Sequence, residues 1–108
     1  MTDNDAVARL RALCGGPRDG ALLRVSLANA LSAAGDCAAA IAELRRATEF
    51  DADYSAGWKL LGKALVETGD TPAAADAFRR GIAAAGKRGD KQAEKEMQVF
   101  LKRLEKVQ

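Results

Sequence analysis

Histidine is absent from this 108-residue chain. That removes the commonest general base and the commonest transition-metal ligand. Cysteine occurs only at Cys14 and Cys37, and proline only at Pro17 and Pro72. Without a histidine neighbour, a cysteine hydrolase is disfavoured. Aromatic residues make up 5% of the chain. With β-branched residues also scarce, a thick sheet core is disfavoured. No window approaches the ~18 apolar residues of a membrane span. The first residues, Met1 to Asp5, are acidic where a secretory leader would be basic. The expectation is a soluble cytoplasmic protein with reduced cysteines.

Chemistry-bearing clusters are equally scarce. There is no Gly-rich phosphate loop of the P-loop type. Asp51 and Asp53 sit together in a turn, but a calcium loop needs several more oxygen ligands in order. No catalytic residue, metal ligand or cofactor is expected, and the chain reads as non-enzymatic. The formal charge is +2, from 17 Lys+Arg against 15 Asp+Glu. That near-balance gives no footprint for nucleic acid. The unevenness lies at the C-terminal end, where residues 87–108 hold seven basic and four acidic side chains, read as a solvated helix face.

What the chain does have is alanine and leucine at helical spacing, with 48% hydrophobic residues overall. A first helix is expected from Asp5 to Cys14, capped by Asp3, Asn4 or Asp5, with Ala6, Leu10 and Leu13 on one face. Gly15-Gly16-Pro17 ends it. Leu23, Leu27, Ala30 and Leu31 mark a second helix over Ala21–Ala34, and Ala40, Ile41, Leu44 and Ala47 a third over Cys37–Phe50. Glu43, Arg45 and Arg46 lie off that third stripe. Between the two helices stands Gly35-Asp36.

The stretch Ser55–Arg88 repeats this pattern in stronger form. A shift of 34 residues lays Leu61 on Leu27, Gly62 on Ala28 and Leu65 on Leu31. It also lays Gly69-Asp70 on Gly35-Asp36, Ala74 on Ala40, Phe78 on Leu44 and Gly81 on Ala47. Small residues at these places let antiparallel helices approach closely, and Trp58, Leu61, Leu65 and Phe78 fill the space between. Thr71-Pro72 suits a helix start, with threonine as cap. Trp58 is expected in the core, where truncation to alanine would cost ~3–5 kcal/mol. Its counterpart in the first copy is Arg24. The stretch Gly86-Lys87-Arg88-Gly89 is expected to form a loose turn. A last helix follows from Asp90 to Val107, with Ala93, Met97, Phe100, Leu101, Leu104 and Val107 in one stripe.

A gapless 34-residue repeat of helix, Gly-Asp turn and helix resembles the tetratricopeptide (TPR) family. The resemblance covers repeats at residues 21–54 and 55–88, with an N-terminal helix at 5–14 and a C-terminal capping helix at 90–107. It implies a single all-α domain, a solenoid of six antiparallel helices. In such a stack Cys14 and Cys37 lie too far apart for a disulfide. The family's concave groove, lined by the first helix of each repeat, falls on Leu22, Val25, Asn29, Ser32, Ala56, Lys59, Lys63 and Val66. Lys59 and Lys63 are one turn apart and share a face. The resemblance thus implies a scaffold binding a protein or peptide, with an acidic or C-terminal carboxylate group set against those lysines. The chaperone-tail clamp of some TPR domains is poorly matched, because Val25 and Leu60 stand where it needs polar residues. The competing reading is self-association through the end helices, with Leu101 and Val107 flanking the last apolar stripe, which leaves a homo-oligomer open.

Overall fold

The computed structural model describes residues 2–107, without the side chain of Val107. All regular structure among them is helical: α1 Asp3–Arg11, α2 Ala21–Ala33, α3 Cys37–Phe50, α4 Ser55–Glu67, α5 Thr71–Arg88 and α6 Lys91–Val107. The helices fall into two compact units, one up to Asp51 and one from Ala52 onward.

In the first unit α1 and α3 each pack on α2. The α2–α3 hairpin buries Leu27, Ala28 and Leu31 against Ala40, Leu44 and Ala47. The alanines stand where the expectation called for small side chains. α1 departs from expectation at both ends. Thr2 caps it, its hydroxyl accepting from the Asp5 N–H at 3.2 Å while the Asp5 carboxylate accepts from the Thr2 N–H at 3.0 Å. This reciprocal capping box starts the helix two residues early. The same backbone N–H holds the Asp5 carboxyl below its ordinary range. The helix stops at Arg11, so Leu13 and Cys14 lie in the following turns. Both cysteines are free.

In the second unit α5 packs on α4 and α6, and α4 also touches α6. Leu61 and Leu65 of α4, Phe78 of α5 and Met97 and Leu104 of α6 form its core. Gly62 is needed for close approach, because a Cβ there would lie 2.5 Å from the Phe78 ring. Gly81 is needed for the same reason, since a Cβ would collide with the Met97 sulfur and sit 2.8 Å from Trp58 Cβ.

Three turns share one geometry. Gly35, Gly69 and Gly89 have φ of 85°, 85° and 74°, the left-handed region that favours glycine. The aspartate after each donates its N–H back to a carbonyl of the preceding helix: Asp36 to Leu31, Asp70 to Leu65 and Asp90 to Ala85. The carboxylates then accept from Ala39, Ala73 and Ala93 at 3.1, 3.2 and 3.1 Å, capping the next helix. Two expectations are corrected here. Asp70, not Thr71, caps α5, because its side chain reaches the free N–H of Ala73. Gly86 lies inside α5, because the chain turns only at Gly89-Asp90.

Candidate partner-binding site

The first helix of the second copy, α4, has two stripes that matter here. Leu61, Gly62 and Leu65 point into the core. Beside them, at i, i+4 and i+7, run Lys59, Lys63 and Val66. That second stripe lies alongside α6. Lys59 Nζ donates to Glu96 Oε2 at 3.1 Å, a bridge between half-exposed side chains. Lys63 Nζ stands 5.7 Å from the centroid of the Phe100 ring. The Arg103 guanidinium lies 5.9 Å from the same centroid. Phe100 in turn stacks on the buried Phe78, centroids 5.4 Å apart.

Between these helices opens a cavity of about 300 Å³. Its walls are Val66, Phe78, Phe100 and Leu104, and Lys63, Glu67 and Arg103 stand among its lining. The wall is apolar, and the charged groups leave an excess of one positive charge. Such a cleft can take a bulky apolar side chain while offering two cations to carboxylates beside it.

The expected site residues therefore divide. Lys63 and Val66 come together in the cavity. Lys59 is engaged by Glu96, so the paired-lysine patch is in effect one lysine on α4 and one arginine on α6. On α2, Leu22 is 70% exposed, and Asn29 and Ser32 are exposed as well. Val25 is 6% exposed, a core side chain with little surface to offer a partner. Sequence reasoning missed Phe100, Arg103 and Leu104. The signal was α6's own apolar stripe, with Arg103 set between two of its members, read there only as an end cap.

A second charged cluster is structural. Arg24, the counterpart of Trp58, is buried. Its Nε and Nη2 donate to the two Asp19 oxygens at 2.9 and 2.8 Å, and Nη1 donates to Glu43 Oε2 at 2.7 Å. Glu43 is thus buried toward α2, correcting its expected place off the α3 packing face. Hydrogen bonds from Arg24, then from the Gly15 N–H, bring the Asp19 carboxyl from 3.8 down to about 2. The two carboxylates push the Arg24 guanidinium upward, so it stays charged. Trp58 is also corrected. It is only part-buried, with Nε1 donating to the Ala52 carbonyl at 2.8 Å and Arg80 5.7 Å over its ring. Among the described residues, no buried side-chain nitrogen or oxygen lacks a hydrogen-bond partner, and no group of three or more Cys, Asp or Glu side chains could hold a metal. No helix of the described residues is long and apolar enough to cross a membrane.

Comparison with known proteins places this architecture. No family model matches the chain. A TPR repeat-containing protein of Pseudomonas aeruginosa is 51% identical over 89 residues, covering 82% of this chain and 85% of the relative. A Bordetella parapertussis protein solved in solution superposes with a TM-score of 0.77 at 42% identity, covering 94% of this chain and 88% of that one. The crystal structure of PcrH in complex with the chaperone binding region of PopD has a TM-score of 0.88 at 16% identity, over 97% of this chain and 80% of that one. That last likeness shows fold alone. With the 34-residue repeat, the matched Gly-Asp turns and a relative at 51% identity, the chain belongs to the tetratricopeptide-repeat family.

Proposed function

We propose that this protein is a non-catalytic interaction scaffold that seats a segment of a partner protein in the cleft between α4 and α6. The observation that carries this reading is the apolar cavity of about 300 Å³ with Lys63 and Arg103 beside Phe100. A leucine-sized or aromatic side chain of the partner enters against Val66, Phe100 and Leu104. Acidic groups flanking it, or a chain-terminal carboxylate, meet Lys63 and Arg103. Lys59 acts indirectly, its bridge to Glu96 fixing α6 relative to α4. The PcrH structure lends support, since there a chain of similar fold is in complex with the chaperone binding region of PopD. Leu22, Asn29 and Ser32 are proposed as further contact residues on α2.

The test uses fluorescein-labelled peptides with one leucine between aspartates. Binding is read by anisotropy against wild type, Lys63→Glu/Arg103→Glu and Val66→Trp. Each variant is expected to lose roughly tenfold or more in affinity while keeping its helical circular dichroism. Unchanged affinity in two folded variants would remove the cleft from consideration.

A further inference from the structure

The side of α6 turned away from the cleft carries charge that the proposed function does not use. Lys91, Lys95, Val99, Lys102 and Lys106 recur at i, i+4, i+8, i+11 and i+15, and all are exposed. They therefore form one straight ridge, about 22 Å long at the helical rise of ~1.5 Å per residue. Among the described residues, Lys91, Lys95 and Lys102 take part in no salt bridge, whereas Lys59 and Lys87 do. Val99, 48% exposed, stands at the middle of the ridge. A shallow depression there is lined by Lys95, Gln98, Val99, Leu101, Lys102 and Glu105. Apart from Glu105, each charge in it is positive.

We infer that the outward ridge of α6 docks an acidic amphipathic helix of a partner protein, separately from the α4–α6 cleft. Charge complementarity commits the occupant. A second copy would bring the same lysine row and meet repulsion. A membrane needs a broad apolar face to enter the headgroup layer, and this ridge offers Val99 with Leu101 beside it. Nucleic acid calls for a stronger field than a chain of net charge +2 supplies. A helix laid along the ridge meets a lysine at about every turn, and one of its apolar residues covers Val99. Docking of this kind is set by matched charge in register, and its strength falls with salt.

The probe is a lactam-stapled helical peptide of ~20 residues, leucines on one stripe and glutamates elsewhere, with a lysine-for-glutamate twin. Anisotropy is measured against wild type, Lys95→Glu/Lys102→Glu, Val99→Asp and the cleft variant Lys63→Glu/Arg103→Glu. The glutamate peptide is expected to bind wild type and the cleft variant within about twofold of each other. It should bind the two ridge variants roughly tenfold or more weakly. The lysine twin should bind only Lys95→Glu/Lys102→Glu. These substitutions are at exposed positions, so circular dichroism should stay native. Loss of binding in the cleft variant alone would overturn the inference. So would tighter binding of duplex DNA or phosphatidylserine vesicles than of the peptide, or a dimer in sedimentation that Val99→Asp abolishes. Failure here leaves the cleft experiment standing, since the two sets of variants share no residue.

Discussion

At Gly81 a hydrogen occupies the place of a side chain because Met97 and Trp58 already fill the space. Alanine is normally the better helix residue by about 1 kcal/mol. Here the added methyl forces Met97 and Trp58 aside, and overpacking of that kind costs roughly 1–3 kcal/mol. Gly81→Ala is therefore expected to destabilise, by up to about 2 kcal/mol once the helix preference of alanine is set against the overpacking. Gly86, five residues on in the same helix, is exposed, with Glu94 Oε2 3.7 Å from an added Cβ. Gly86→Ala is expected to stabilise by ~0.5–1 kcal/mol. Urea midpoints moving the same way for both variants would contradict this packing. Trp58 gives a second case. Part-exposed, it contributes less by burial than a fully enclosed ring, so truncation to alanine should fall at or below the ~3 kcal/mol end of the range for core aromatics. Its distinctive contribution is the N–H donated to Ala52. Trp58→Phe keeps most of the ring, and with the donor gone should cost about 1 kcal/mol in a denaturation series.

At the scale of the helix and its ends, Gly69 illustrates how far sequence could reach. The Gly-Asp dipeptide marks the turn between the two helices, and the turn is there with Gly69 left-handed, but the cap expected at Thr71 falls on Asp70. Gly69→Ala places a Cβ at φ 85° and is expected to cost roughly 1–2 kcal/mol by thermal unfolding. A melting temperature equal to wild type would deny the turn its role. The two hairpins and the bounds of α3 followed from periodicity and the 34-residue shift, because apolar spacing and turn residues are local signals. Other features were not local. Helical spacing sets Glu43 off the α3 stripe, while its partner, Arg24, lies 19 residues away in the chain. Helical spacing sets Lys59 beside Lys63, while its bridge to Glu96, 37 residues away, lies beyond what that spacing encodes. Phe100 read as core, and no spacing rule says that a core phenylalanine also walls a cleft. Pairings of this range depend on how helices pack, which periodicity in one helix does not encode. The α2 positions were legible as exposed at Leu22, Asn29 and Ser32 but not at Val25, which turns inward.

For the molecule as a whole, the unit up to Asp51 holds an acid-sensitive group in Asp19. The Asp19 carboxyl has a lower pKa folded than its ordinary value. Its contribution to stability is thus fully present above about pH 4 and is lost as pH falls toward about 2. Only the unit up to Asp51 contains that group. Trp58, the chain's single tryptophan, lies in the other unit. Acid titration should therefore lower helical circular dichroism before tryptophan fluorescence changes, and Asp19→Asn should shrink that difference. Coincident transitions in the wild type would refute the assignment. Arg24→Ala tests the same cluster at neutral pH. Removing the guanidinium strands the buried Glu43 carboxylate, at an expected cost of ~3 kcal/mol.

The Asp19–Arg24–Glu43 triad also bears on how the first repeat can change over generations. Its counterpart position holds Trp58, so two solutions to one packing problem coexist in the same chain. Replacing Arg24 first strands the buried Glu43 carboxylate, and replacing Glu43 first leaves the buried Arg24 with Asp19 alone. Either order costs stability, so exchange between the two solutions is expected to favour paired replacement of positions 24 and 43. In a saturation library, hydrophobic residues at position 43 should survive selection for folding chiefly where position 24 has changed as well.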